Sequence, residues 1–191
     1  MASILRMIAV LSLLCASSGF LLSYLKMTTA GRIEEQVLTY VQGPALATVF
    51  PDAENAPLTE RYAFTLPDGR NVMVFPARKD GKLYGVAMEN SAPGFGGDIN
   101  VITGFDATRD VLIGIGITTM KETPGIGTQV SNPSFTGQFA GTHLPVALSS
   151  NGGSIDAISG ATISSTGVVD AVAKATEDYK ALKDQILARW Q

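Results

Sequence analysis

Residues 156–165, Asp156-Ala157-Ile158-Ser159-Gly160-Ala161-Thr162-Ile163-Ser164-Ser165, run straight into a stretch where Val168, Val169, Val172, Ala175, Tyr179, Leu182 and Ile186 recur at spacings of three and four. That periodicity predicts a long amphipathic helix closing the chain. Its start is marked by Ser164 or Ser165, either of which is a good N-cap. Small residues precede it, and Gly160 allows a backbone conformation that a residue with a Cβ resists, so the segment reads as an exposed, bendable loop. A loop ending at a helix start meets unpaired N–H groups and the positive end of the helix dipole, which favours an anion there.

Two upstream segments have the same glycine-rich character: Gly94-Phe95-Gly96-Gly97-Asp98-Ile99 and Lys121-Glu122-Thr123-Pro124-Gly125-Ile126-Gly127-Thr128. The first is either a glycine turn feeding a strand with Phe95 in the core, or a place where backbone approaches a flat ligand and Phe95 offers it an aromatic face. In the second, Pro124-Gly125 signals a turn. Thr123 and Thr128 either cap that turn or offer hydrogen bonds to a ligand.

Taken together, G-F-G-G-x-I at 94–99, E-T-P-G-I-G at 122–127 and D-x-x-S-G-A-T at 156–162 resemble the motifs of a family of FMN-binding domains, in the same order and at similar spacing. These domains occur in membrane electron-transport subunits: the G subunit of the Rnf complex and the C subunit of the sodium-translocating NADH:quinone reductase. The resemblance covers nearly the whole chain, and its short length favours the Rnf protein. It implies that a flavin transferase joins FMN to the Thr162 hydroxyl as a phosphoester. Ser159, Gly160, Ala161, Ser164, Ser165 and Asp156 then surround the attachment point, and Phe95, Glu122, Thr123, Gly125 and Gly127 lie near the cofactor. A carboxylate beside a phosphate is repulsive, so Asp156 either positions a metal or the hydroxyl during attachment, or is a turn residue bonded to its own backbone.

The implied function is that of an electron-transfer subunit of a membrane-bound, ion-translocating ferredoxin:NAD+ oxidoreductase. A flavin passes electrons singly or in pairs while the protein fixes its position and tunes its potential. Hence no catalytic acid, base or nucleophile, no resident metal and no independent activity are expected. The implied partners are the other membrane subunits, with the flavin transferase needed for maturation. Two alternatives belong to other settings: a free-standing, membrane-anchored flavoprotein carrier outside the cytoplasm, and a non-redox tethered binding module in which S-G-A-T is an ordinary loop.

The chain has 191 residues, 46% hydrophobic and 16% charged, with a net charge of −3. One membrane segment and one compact domain account for that length. From Met7 to Leu25 there is no charge, with Arg6 before and Lys26 after, close to the length a helix needs to cross a bilayer. A signal peptide is the rival reading, since Ala16, Ser17, Ser18 and Gly19 offer a cleavage site. The apolar run resumes at Phe20-Leu21-Leu22, which favours an uncleaved anchor. Leu14 before Cys15 argues against lipid attachment there. Charges flank the run evenly, so the positive-inside rule does not orient it. The resemblance implies a cytoplasmic N-terminus, a single pass through the cell (inner) membrane and a flavin domain on the extracytoplasmic, periplasmic side.

A lone cysteine excludes an internal disulfide and an iron–sulfur cluster held by this chain's own thiolates. A lone histidine, His143, excludes a metal site built on imidazoles. Scattered basic residues under a net negative charge argue against nucleic acid. Asp170, Lys174, Glu177, Asp178, Lys180, Lys183 and Asp184 read as the solvated face of the last helix.

Three parts are expected: an anchor over 1–30, a helical and loop connector over 31–60, and the FMN-binding domain over 61–191. Ile33 to Thr48 reads as a helix broken by Gly43-Pro44. Strands are predicted at Arg61–Leu66 and Asn71–Ala77 around Pro67-Asp68-Gly69, then at Lys82–Met88 after Lys79-Asp80-Gly81. A further pair, Ile99–Asp106 and Val111–Thr119, flanks a turn at Ala107–Asp110. Gln129 to Gly153 reads as short helix and loop. The fold class is α+β: a small antiparallel sheet with a C-terminal helix, preceded by one transmembrane helix.

Overall fold

The computed structural model describes residues 2–109 and 111–190; Asp110, which closes the turn expected at Ala107–Asp110, lies outside them. The chain divides into two units, Met1–Thr39 and Tyr40–Gln191.

The first unit is the helix α1 (Ala2–Val37). Its large apolar side chains, from Ile4 through Leu25, are exposed along its length. A helix that is apolar on every face has no polar side to give to water, and α1 is long and apolar enough to cross a bilayer.

A π-helical turn, Leu38–Gln42, follows α1 in the chain, and the second unit opens with the short helix α2 (Gly43–Val49), with Pro44 in its first turn. The break expected at Gly43-Pro44 within a helical stretch over Ile33 to Thr48 falls at the π-helical turn just before it. Pro44 opens the helix that follows, because a first-turn residue needs no N–H partner and the fixed proline φ suits it. Ala45, Leu46 and Val49 of α2 are buried.

Five strands follow in an antiparallel meander, β1 (Tyr62–Thr65), β2 (Asn71–Lys79), β3 (Lys82–Pro93), β4 (Asp98–Asp106) and β5 (Leu112–Thr119), ordered β1-β2-β3-β4-β5 in the sheet. The turns at Asp68-Gly69 and Asp80-Gly81 set the first two hairpins, Gly69 and Gly81 adopting φ of 86° and 72°. The strand expected over Lys82–Met88 runs five residues further. The polar residues beyond Met88 argue against a strand by type, yet they find tertiary partners: Glu89 accepts from Gln42 and from Thr118, and Asn90 donates to Asp178. Pro93 therefore pairs with Asp98, and Gly94–Gly97 becomes the tip of a hairpin closed by the Gly94 N–H to Gly97 C=O bond of 2.8 Å.

The turn after β4 is held by one carboxylate. Asp106 accepts from the Thr108 and Arg109 backbone N–H groups, from the Thr108 hydroxyl, and from the Arg109 guanidinium at 2.7 Å. Burial pushes its carboxyl up, but the bonds from Arg109 and Thr108 outweigh burial and hold it at about 2, against 3.8 ordinarily. A carboxyl whose pKa is lowered on folding adds stability that is present above its unfolded value and lost as pH falls through the folded one. Exposure of Arg109 discounts the gain, leaving about 1–2 kcal/mol. Asp106→Asn is accordingly expected to lower the urea midpoint at pH 7, with the difference from the parent chain closing by about pH 2.

The closing helix α4 (Thr162–Trp190) lies on β3 and β4. It packs Val168, Val172, Ala175, Tyr179, Leu182 and Ile186 into one core with Val86, Met88, Val101 and Phe105. Tyr179 stacks on Phe105 with ring centroids 4.4 Å apart. Because neighbours on a strand face opposite ways, Gly104 looks to the other face, where a Cβ would fall 2.3 Å from Val49 Cγ1. There α2 packs on β4 and β5. Two expectations for α4 are corrected. Asp178, assigned to the solvated face, is 4% exposed because Arg70 and Asn90 reach its two oxygens, each at 3.0 Å. The helix also begins before Ser164 and Ser165, as described next. Between β5 and α4, short turns and the helix α3 (Pro133–Thr136) bury Val130, Phe135 and Phe139, in keeping with the short helix and loop expected there.

Candidate functional site

The three glycine-bearing segments meet at the start of α4. Gly160 has φ of 80°, a value that favours glycine, and Ala161 N–H bonds to Ile158 C=O at 2.9 Å. That turn aims the chain directly into the helix, so α4 starts at Thr162 and neither Ser164 nor Ser165 is its N-cap. Both serines are buried in the first turn and hold the loop from inside. Ser165 Oγ accepts from Ile158 N–H and donates to Ala161 C=O, each at 3.0 Å. Ser164 Oγ donates to Glu122 Oε2 at 2.8 Å. Thr162, in contrast, is exposed on the opening residue of the helix.

Glu122 ties the segments together. Its Oε1 accepts from the backbone N–H groups of Phe95 at 2.8 Å and Gly96 at 3.2 Å, while Oε2 takes the Ser164 hydroxyl. One side chain, 9% exposed, thus links the β3–β4 hairpin tip, the segment after β5 and the first turn of α4. The glycines leave it room: a Cβ on Gly127 would lie 2.3 Å from Glu122 Oε2, and one on Gly96 would lie 1.9 Å from the Lys121 carbonyl oxygen. Gly125, with φ of 75°, sits at the turn. Its N–H bonds to Thr128 Oγ1 at 2.9 Å, so Thr128 caps that turn.

The outcome is a cleft of about 390 Å³ walled by Phe95, Glu122, Thr123, Ile126, Gly127 and residues 160–164. That size lies within the range of small-molecule sites, about 300–1,000 Å³. Among the candidate residues, Phe95, Glu122, Thr123, Gly127, Gly160, Ala161, Thr162 and Ser164 form its wall. Gly125 and Ser165 support it from behind the lining, through the turn and the Ile158–Ala161 loop. Ser159 is exposed and outside the lining. Asp156 is exposed and outside it too, and its backbone is fixed by Gln138, whose Oε1 accepts from Asp156 N–H at 2.7 Å.

Two residues of the opening, Ile126 and Ile163, escaped the reading of the sequence. They stand 49% and 55% exposed at the cleft, beside Phe95 at 68%. Three large apolar side chains left in solvent around one opening offer a dry surface to a flat aromatic ligand. The available signal was local: an isoleucine next to a motif glycine or threonine, off the apolar period of the helix.

A family model described as the FMN-binding domain matches residues 94–177. The G subunit of the ion-translocating oxidoreductase complex of Salmonella typhimurium is 34% identical over 179 residues, covering 86% of this chain and 85% of that protein. The Methanosarcina acetivorans protein of the same description is 39% identical over 115 residues, which is 58% of this chain and 60% of the relative's length. Among solved structures, the C subunit of the Na+-translocating NADH-quinone reductase from Parabacteroides distasonis is similar with a TM-score of 0.53 and 27% identity, covering 59% of this chain and 63% of that one. NqrC of Shewanella oneidensis shares the fold with a TM-score of 0.54 at 23% identity, covering 72% of this chain and 73% of that one.

Proposed function

The chain belongs to the family of G subunits of the ion-translocating oxidoreductase complexes, and on that premise we propose that it is their FMN-bearing electron-transfer subunit, with the cofactor esterified to Thr162. The observation that carries this reading is the position of Thr162: exposed, the opening residue of α4, in the wall of the cleft that all three motifs build.

The residues present fit the group. Thr162 supplies the hydroxyl for a phosphoester, and an ester there meets the unpaired N–H groups and positive dipole end of a 29-residue helix. Phe95, Ile126 and Ile163 would offer apolar contact to the ring and keep water from it. Glu122 and Ser164 hold the two walls together through their mutual hydrogen bond. FMN, when bound, supplies one- and two-electron chemistry. The protein's part is to fix the ring's place and set its surroundings.

Attachment requires a flavin transferase, and the exposed loop at Ser159 and Gly160 leaves such an enzyme an approach to Thr162. The helix α1 anchors the chain in the cell membrane by a single pass, with the flavin domain on the extracytoplasmic side. There a tethered cofactor cannot be lost by dissociation. Electron flow is coupled to ion movement through other membrane subunits of the complex, and this protein has no turnover of its own. The test is the intact mass of the full chain after co-expression with a flavin transferase. An increment of one FMN is expected, and an unmodified chain under those conditions refutes the assignment. Co-purification with multi-span membrane subunits is expected as well, whereas a solitary protein would mark a free-standing carrier.

A further inference from the structure

We propose that Glu122 is a positioning residue that also sets the flavin's potential: its carboxylate fixes in the cleft wall a negative charge that no cationic side chain pairs, and makes the cofactor harder to reduce. The inference rests on the FMN reading above.

Among the described residues three carboxylates are buried: Asp106, Glu122 and Asp178. Two of them meet a guanidinium, Asp106 that of Arg109 at 2.7 Å and Asp178 that of Arg70 at 3.0 Å. Glu122 forms no ion pair among the described residues. Its donors are two backbone N–H groups and one hydroxyl, all of them neutral dipoles. No lysine, arginine or histidine is among the described residues that line the cleft. The cleft lining therefore holds one fixed carboxylate and no cationic side chain, in a wall too buried for salt to screen it well, while Lys121, next in the chain, lies along Gly97 outside that lining.

Full reduction takes two electrons from the reductant and one proton from water, leaving the ring one unit more negative. A fixed like charge opposes that change. Its sign is therefore a shift to lower potential.

Charge and clasp can be separated. In Glu122→Gln the amide oxygen still accepts from Phe95 and Gly96 N–H, and the amide nitrogen donates to Ser164 Oγ, which accepts as readily as it donates. The loops stay tied and the charge is gone. In Ser164→Ala the charge stays and one compensating donor is lost.

The experiment is a mediated dithionite titration of the full-length, flavin-bearing chain in detergent. Glu122→Gln is expected to favour reduction at least tenfold, about 30 mV upward for a two-electron couple. Ser164→Ala is expected to shift the potential downward. A purely structural clasp, kept in Glu122→Gln and loosened in Ser164→Ala, would leave the first variant at the parent potential. Shifts of the same sign, or Glu122→Gln within twofold of the parent, overturn the proposal. Should Glu122→Gln accept no flavin, Ser164→Ala decides alone: a downward shift supports the proposal, and no shift or an upward one overturns it. A parent chain without flavin refutes the FMN reading itself and takes this proposal with it.

Discussion

Thr162→Ala yields a colourless protein of unmodified mass and near-parental stability. The side chain is exposed on the opening residue of α4, so its removal leaves no cavity and the fold loses only a few tenths of a kcal/mol. What disappears is the only reactive atom of the proposed ester. Neighbouring hydroxyls do not take its place, because Ser164 is committed to Glu122 and Ser165 to Ala161, both inside the fold. Thr166 points its hydroxyl to Thr162 C=O at 2.9 Å. Ser159 is exposed but outside the cleft wall, so Ser159→Ala retains the flavin and serves as the control. Thr162→Ser restores the hydroxyl and is expected to recover modification at least in part. Intact mass and visible absorbance read all three, and an FMN increment surviving in Thr162→Ala would place the attachment elsewhere.

Much of this was legible in the chain because the signals were local. Asp-Gly turns mark the first two hairpins and the three-and-four spacing of Val168 to Ile186 gives the closing helix, whereas Thr162 is singled out by the resemblance of D-x-x-S-G-A-T to a family motif. The readings that failed depended on partners distant in sequence. The strand expected over Lys82–Met88 continues through Glu89 and Asn90, whose side chains find hydrogen-bond partners in Gln42, Thr118 and Asp178. Asp178 looked solvated because Arg70 lies 108 residues away. Ser164 and Ser165 look like caps by type, yet the turn at Gly160 starts the helix earlier and draws both inward. No period or spacing announces that Glu122 takes hydrogen bonds from residues 26 and 42 positions away.

That long reach makes Glu122→Ala the most damaging change expected at the site after loss of the attachment residue. Truncation leaves the Phe95 and Gly96 N–H groups and the Ser164 hydroxyl without their acceptor. A stranded buried donor costs about 1–3 kcal/mol; the Ser164 hydroxyl is buried, while the two N–H groups are only part-buried and water offsets part of their cost. A net loss of about 3 kcal/mol is expected, seen as a lower urea midpoint with unchanged slope. Attachment should fail as well, because the hairpin tip and the first turn of α4 lose their shared anchor and the wall that presents Thr162 is no longer held. Glu122→Gln provides the contrast, since it keeps the same shape and two of the same acceptor contacts. Near-parental stability and full flavin loading in Glu122→Ala would mean that the three loops hold their places without the carboxylate. Backbone packing at Gly96 and Gly127, where a Cβ would lie 1.9 Å and 2.3 Å from its neighbours, would then be what builds the cleft.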